Sequence, residues 1–377
     1  MKKVLIVSGS VFICLVVVLS AIFIPQYINR TGVFEEKEIR FTVFSDLHYY
    51  TDMYPVTTDH INDIFNRAQK DKSDFVIQCG DFFMKYSEAK PMINLYMQNI
   101  QDIPAYSIYG NHELENEGKM KNITPSLTND NTVVWGTEDG KIDKDGKIGY
   151  YYFEKNGFRL VCVDSNYYYD ESTKKWKHLD NGTFIAPEGT KKEHALGEQQ
   201  LIWLDKVLMD AASRRIPCVV FSHISFSPSW HTDSCDAEEV REIFNKVNQK
   251  RPKTVLMAIS GHYHNYNVSQ DEDIVYLSLP TAMIVNEEQK PNYTDEHIFE
   301  FYKYDNNGYL LGIFERKISE LFANHLWFAK EPLSATVTIR ENGDVNIKGM
   351  QTDWMFSYAP ESGKKPQIPS SEFSLEK

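Results

Sequence analysis

Ile39-Arg40-Phe41-Thr42-Val43-Phe44-Ser45-Asp46-Leu47-His48 reads as a strand that runs directly into two metal-ligating side chains. Apolar residues at 39, 41 and 43 alternate with polar ones, the period of a half-buried strand. The acid and the imidazole follow two residues apart, so both can point to the same side of the chain as it leaves the strand. Working outward, the same arrangement recurs. Phe75-Val76-Ile77-Gln78-Cys79 leads to Gly80-Asp81, Pro217-Cys218-Val219-Val220-Phe221 to Ser222-His223, and Thr254-Val255-Leu256-Met257-Ala258-Ile259 to Gly261-His262-Tyr263-His264. A further strand, Pro104 to Tyr109, leads to Gly110-Asn111-His112-Glu113.

Between these strands the period changes. Asp59 to Ala68 places apolar side chains at 61, 64, 65 and 68, which predicts a helix with one buried face, and residues 91–100 and 198–208 predict two more. Strand, helix, strand, helix, strand is a βαβαβ beginning. Asn156-Gly157 between two apolar runs predicts a hairpin, and the runs 274–279, 297–303 and 309–316 are expected to complete a second sheet. The fold expected is α/β (α+β), a two-sheet sandwich flanked by helices over residues 39–317. A small C-terminal β extension is expected over 318–360, with a hairpin of 335–339 and 345–348 joined through Glu341-Asn342-Gly343-Asp344. Residues 361–377, rich in Ser, Pro and Lys, are expected to be a disordered tail.

A chain of 377 residues exceeds the size at which one core usually stops growing, so one large domain with appendages is expected. The net charge of -13 without Lys/Arg clusters argues against a general nucleic-acid binder. Lys2 and Lys3 precede an uncharged stretch from Val4 to Ile24, closed by Pro25 and long enough to span a bilayer. Residues 1–30 are therefore expected to be a transmembrane anchor or a signal peptide. The length of the stretch and the poor cleavage match of Leu19-Ser20-Ala21 favour the anchor. Either way the lysines stay in the cytoplasm and the body lies outside it, membrane-anchored, or secreted if the segment is cleaved. The five cysteines have no paired spacing, so no disulfide framework is expected.

Gathered together, Asp46, His48, Asp81, Asn111, His223, His262 and His264 mix carboxylate, carboxamide and imidazole. That mixture suits manganese, iron or zinc. Seven ligands exceed the needs of one ion, so two divalent cations are expected.

The order Asp-x-His, Gly-Asp, Gly-Asn-His-Glu, His, Gly-His-x-His, spread over roughly residues 39–316, resembles the calcineurin-like metallophosphoesterase superfamily. The resemblance implies that Asp46, His48, Asp81 and His264 hold one metal, and that Asp81, Asn111, His223 and His262 hold the other, with Asp81 as the bridge. It implies hydrolysis of a phosphomonoester or phosphodiester through direct attack by a hydroxide held between cations about 3.5–4 Å apart. His112 is then the candidate for protonating the leaving oxygen or stabilising the transition state, and Glu113 for orienting the His112 imidazole. Met84 stands where purple acid phosphatases place a tyrosine, which argues against a tyrosinate-bound ferric site.

Around that set, His60, His178, His194, His297 and His325 read as ordinary surface or core histidines. His231 is a substrate-facing or plain loop residue, and Tyr49 follows a ligand directly. Asp164 ends a strand as a structural residue or as a contact to a ligand imidazole. Tyr167-Tyr168-Tyr169 and Trp176, within the insertion 165–197, either roof the site and stack on a base or aryl group or pack the loop onto the body. The expected partner is a small-molecule or lipid-linked phosphoester. Two other readings remain open: a cyclic-nucleotide or lipid-linked phosphodiesterase, and a non-catalytic, metal-stabilised surface module.

Overall fold

Alternation along Ile39, Phe41 and Val43, each without solvent exposure, builds a core between two sheets. The computed structural model describes residues 37–48, 58–83, 93–94, 96–99, 103–114, 132–136, 149–179, 194–230, 234–286, 298–304, 310–317, 326–354 and 365–375. Its strands are β1 (Glu38–Phe44), β2 (Phe75–Gln78), β3 (Ala105–Ser107), β4 (Val134–Trp135), β5 (Tyr151–Lys155), β6 (Phe158–Cys162), β7 (Tyr167–Asp170), β8 (Lys175–His178), β9 (Cys218–Phe221), β10 (Val255–Ser260) and β11 (Asn267–Asp271). They continue with β12 (Ile274–Ser278), β13 (Ile284–Asn286), β14 (Ile298–Tyr304), β15 (Leu310–Lys317), β16 (Leu326–Phe328), β17 (Ala335–Arg340), β18 (Val345–Lys348), β19 (Met350–Gln351), β20 (Gln367–Ile368) and β21 (Ser371–Phe373). Among the described residues the longer helices are α1 (Thr58–Lys70), α2 (Gly197–Arg214) and α3 (Ala237–Lys250), and residues 93–94 and 96–99, within the expected helix 91–100, are helical too.

One sheet runs β21-β18-β17-β1-β2-β3 and the other β11-β12-β10-β9-β6-β5-β4. In the first, β1, β2 and β3 are parallel. In the second, β6, β9, β10 and β12 are parallel. Aromatic rings close the space between the sheets: Phe41 of β1 meets Phe221 of β9 at 5.5 Å, and Phe75 of β2 meets Phe153 of β5 at 5.4 Å. β6 shows why the second sheet must be covered twice. Phe158, Leu160 and Cys162 join the core between the sheets, while Val161 packs with Leu204 and Leu208 of α2 and Phe244 of α3. The second sheet is therefore buried on both faces, as parallel strands usually are.

From Glu38 onward the chain forms one compact unit, and three expectations change with it. The hairpin β17-β18 is not an appendage, because β17 pairs antiparallel with β1 from Glu38↔Arg340 to Val43↔Ala335. Val337, Ile339, Val345 and Ile347 need the core that β1 offers, and all four are buried. The stretch expected as a disordered tail supplies β21, which pairs with β18, and Ile368 and Leu375 are buried. Its Ser, Pro and Lys content masks those apolar anchors. Finally, β14 and β15 pair only with each other among the described residues and do not extend the second sheet. Residues 1–30 lie outside the described residues, and among these no helix is long and apolar enough to cross a membrane.

Candidate metal centre

Parallel strands end on the same side, so β1, β2 and β3 of one sheet and β9 and β10 of the other deliver their following loops to a single rim. The rim gathers all seven expected ligands. Asp46 Oδ1 lies 3.4 Å from His264 Nε2 and 3.8 Å from His48 Nε2. Asp81 Oδ2 lies 3.8 Å from His48 Nε2 and 3.2 Å from His223 Nε2. Asn111 Oδ1 is 3.1 Å from both His223 Nε2 and His262 Nδ1. Asp46, His48 and His264 form one cluster of ligating atoms, and Asp81, His223 and His262 form another. Asp81 reaches both sides.

The backbone is forced to make this convergence. Asp46, His48, Asp81, His262 and His264 have φ values of 53°, 50°, 52°, 72° and 57°, a left-handed conformation that costs on the order of 1 kcal/mol per non-glycine residue. Hydrogen bonds between strand ends hold it: Asp46 N–H donates to Gly80 O (3.0 Å), His48 N–H to Asp81 O (2.9 Å) and Thr281 Oγ1 to Asp46 O (2.7 Å). His262 N–H donates to the Asp46 carboxylate at 3.0 Å. Gly80, at φ 94°, allows a close approach, since a Cβ there would lie 2.4 Å from His223 Nδ1.

Charge follows from burial and company. Burial alone would raise both aspartates, but the Asp46 carboxyl is held below its usual range by the hydrogen bond from His264 and by the neighbouring imidazoles. Asp81 is held well below it by His223 and His112. Burial also opposes charge on His223, yet Asp81 and Asp46 push it up to about 10. His48 is pushed down to about 3 and His262 to about 4, first by burial and then by neighbouring imidazoles. The pocket thus demands positive charge while His48 and His262 are driven neutral.

That donor set fits divalent cations. His223 Nδ1 lies 2.8 Å from Cys79 O, a contact that needs the proton on Nδ1, so that a bound cation would displace only the Nε2 proton and take the lone pair pointing inward. There Nε2 faces Asn111 Oδ1 and Asp81 Oδ2 at 3.1 and 3.2 Å. An imidazole nitrogen that holds its proton only against two buried oxygens is a position a divalent cation would take over.

His112 begins a single turn of 3-10 helix, His112–Leu114. Its N–H donates to Asp81 Oδ1 at 2.9 Å, and its Nε2 stands 3.9 Å from Asp81 Oδ2. The His112 ring meets His48 edge-on at 4.9 Å, and its side chain is 20% exposed, so it borders the open side of the rim. Glu113 does something other than orient that imidazole. Its carboxylate accepts N–H bonds from Gly110 (2.6 Å), Asp81 (2.9 Å) and Phe82 (2.6 Å), clamping the β2 and β3 loops together. Burial and the Asp81 charge push Glu113 up to about 7.

Of the two roles open to Asp164, its contacts are those of a structural residue. Its Oδ2 lies 2.8 Å from His178 Nε2, and its Oδ1 accepts from Asn166 N–H and Nδ2 at 3.0 and 2.8 Å. His194, read as an ordinary histidine, has its ring 5.5 Å from that of His262. Its place is set by the insertion's two ends, which no local pattern announces: Tyr167 and Ala195 exchange backbone hydrogen bonds at 3.0 Å, which returns the chain to the rim at residue 194. His60 is buried on α1, as expected of a core histidine. Tyr49, His231, His297 and His325 lie outside the residues whose side chains are described. Cys79, Cys162 and Cys218 are buried free thiols, and Cys235 is exposed.

The family model for calcineurin-like phosphoesterases matches residues 39–266, more than half of the chain. Among curated proteins, a manganese-dependent ADP-ribose/CDP-alcohol diphosphatase of Arabidopsis thaliana is 27% identical over 188 residues, covering 43% of this chain and 53% of the relative. One of the same name from Oryza sativa subsp. japonica is 26% identical over 201 residues, covering 46% and 56%. The chain thus spans about half the length of the curated relatives it matches. Among solved structures, a dimetal phosphatase from Danio rerio superposes with a TM-score of 0.53 at 15% identity, covering 91% of this chain and 100% of that one. That likeness concerns the fold.

Proposed function

We propose, for a chain that belongs to the calcineurin-like phosphoesterases, that it is a two-metal phosphoric ester hydrolase acting on a phosphomonoester or phosphodiester. The observation that carries this is Asp81, whose Oδ2 stands between His48 at 3.8 Å and His223 at 3.2 Å, the position of a bridge. Asp46, His48, Asp81 and His264 would hold one cation, and Asp81, Asn111, His223 and His262 the other. When bound, such cations supply charge neutralisation at phosphoryl oxygens and a lowered pKa for the attacking water.

The chain's own residues do the rest. Asp46 and Asp81 stay ionised at neutral pH, and Cys79 O fixes the His223 tautomer. His112, bordering the open side, is assigned the proton delivered to the leaving oxygen. Glu113 keeps the Asp81 loop in register with the Asn111 loop. His112 Nε2 also lies within ligating reach of the group His48 and Asp81, and metal content separates the two roles. A proton donor can be removed with both metals retained, whereas a ligand cannot.

Manganese, iron and zinc all suit the donors, and the names of the curated relatives make manganese and diphosphate-linked nucleotides the first to test. We further propose that the body works outside the cytoplasm, tethered to a membrane by the Lys2-Lys3 and Val4 to Ile24 segment. This rests on sequence alone. External protease added to intact cells should remove the body, and protection of the body would overturn that location. For the activity, the full chain is assayed with manganese on ADP-ribose, a 4-nitrophenyl monoester and a bis(4-nitrophenyl) diester, alongside metal analysis. Two bound metals with turnover of at least one ester are expected. Bound metal without any turnover would favour a non-catalytic surface module.

A further inference from the structure

β7 and β8 form a two-stranded hairpin whose register pairs Tyr167 with His178 and Tyr169 with Trp176. Side chains alternate across a strand, so these four rings share one face, while Tyr168, Asp170, Lys175 and Lys177 take the other. Each cross-strand pair is in ring contact, Tyr167–His178 at 4.8 Å and Tyr169–Trp176 at 5.4 Å, both edge-on.

Between the hairpin and the first turn of α2 lies a cavity of about 750 Å³, bordered by Trp176 and His178 of the aromatic face, by Lys175 and Lys177 of the other, and by Glu198 and Gln199 of the helix, within the range that holds small ligands. Trp176 overlies Gly197, where a Cβ would meet its ring at 3.3 Å, and His178 is held by Asp164 at 2.8 Å. The two rings that frame the cavity are thus fixed before any ligand arrives.

Two connections tie the inner end of the cavity to the metal centre. His178 lies 6.5 Å, ring to ring, from Tyr109, which directly precedes Gly110-Asn111. Tyr167 is hydrogen-bonded to Ala195, whose neighbour His194 packs on His262. A ligand anchored at the rim could therefore extend into the groove. The border also chooses the kind of ring. Glu198 and Gln199 are exposed at one side, and a heteroaromatic base offers them edge donors and acceptors that a plain aryl group lacks.

We propose that this groove seats the nucleobase of a nucleotide-type phosphoester whose phosphate lies at the metal centre. The phosphate half of the proposal rests on the phosphoesterase reading above, whereas the base half can be tested alone.

The first arm uses adenosine, a neutral probe, added to the full-length chain in EDTA, with binding followed by saturation-transfer NMR. Adenosine is expected to bind, Trp176→Ala to weaken it about tenfold or more, Trp176→Phe to retain it, and phenol to compete poorly. Absence of adenosine binding, equal binding by Trp176→Ala, or equal competition by phenol overturns the proposal. If Trp176→Ala fails to fold, Tyr169→Ala takes its place with the same expectation. The second arm, with manganese, compares thymidine 5′-(4-nitrophenyl) phosphate with methyl 4-nitrophenyl phosphate. Trp176→Ala should lower the preference for the nucleoside ester about tenfold, chiefly through KM, and an equal fall on both esters overturns the proposal. Adenosine binding without turnover of either ester, or of ADP-ribose and the 4-nitrophenyl monoester, would sink the phosphoesterase reading and leave the base site standing. Turnover without adenosine binding would do the reverse.

Discussion

The metal rim and the aromatic groove are joined through the Tyr109–His178 and His194–His262 ring contacts, yet they are built on opposite plans. At the rim Asp46, Asp81 and His223 are almost wholly buried, and each is held through several polar contacts at fixed distances. In the groove Tyr167, Tyr169 and Trp176 are half-buried, and ring contacts do most of the holding. A group that must concentrate charge tolerates one residue type in one backbone conformation. A wall that offers a flat surface can be made from many residues, so its sequence carries little signature. The comparison breaks if a rim substitution proves mild, or if a groove substitution empties the metal site.

The largest effect is expected for Asp81→Asn. Removing one negative charge from the shared position weakens both clusters, and activity should fall on the order of 10⁴-fold, as loss of Lewis-acid stabilisation implies. Metal content measured on the purified variant should fall with it. A variant that keeps both metals and most of its turnover would show that Asp81 does not bridge.

His112→Ala should rank next, with kcat lower by about 10²–10³-fold, the usual worth of a positioned proton donor. Metal content should stay at the parent level, and the loss should shrink on an ester whose leaving group needs no protonation, such as a 4-nitrophenyl ester. If metal is lost instead, His112 is a ligand of the His48 and Asp81 group.

These two substitutions concern the part of the molecule that was legible from sequence. The strand ends carrying Asp46, Asp81, His223 and His262 are readable because a buried apolar run followed by a ligand type is a rare combination. The left-handed backbone at Asp46 and His264 was not readable, because only contacts from other strands, such as Gly80 O and Thr281 Oγ1, hold it in place. β17 and β18 were correctly expected as a hairpin, but the partner strand β1 lies about three hundred residues earlier and no local period announces it. The tail's entry into the first sheet rests on isolated anchors, Ile368 and Leu375, within polar sequence. His194 was passed over for the same reason: a lone histidine gains meaning only when Tyr167 and Ala195 pair.

Glu113→Gln tests how far the rim depends on that hidden scaffolding. Glu113 Oε2 accepts from both Gly110 and Asp81, and Oε1 from Phe82. An amide replaces one of those acceptors with a donor and leaves at least one buried N–H unpaired, at about 1–3 kcal/mol. Lower thermal stability and a roughly tenfold or greater loss of metal affinity are expected together. Unchanged affinity would mean that the clamp supports the fold without tuning the site.

The smallest effect belongs to the groove side, where Asp236 repeats the rim's plan in miniature. It is buried, its Oδ2 accepts from Leu196 N–H and Gly197 N–H at 2.9 and 3.0 Å, and its Oδ1 accepts from Ser234 at 3.0 Å. It thereby fixes the start of α2 beside Trp176. Burial nonetheless raises its pKa above the ordinary 3.8, outweighing those hydrogen bonds. A carboxyl raised by folding binds more protons in the folded than in the unfolded chain between the two values. Its contribution to stability is therefore complete below pH 3.8 and diminishes as pH rises through the folded value. Asp236→Asn keeps an acceptor oxygen and removes the titration, so its stability should fall less than that of the parent when pH is raised from acid to neutral. Denaturant midpoints across that range measure the difference, which at neutral pH should lie within about 1 kcal/mol, the scale of one exchanged hydrogen bond. Parallel curves for parent and variant would mean that Asp236 is solvated as readily as an exposed acid, and that the groove's foundation is softer than the rim.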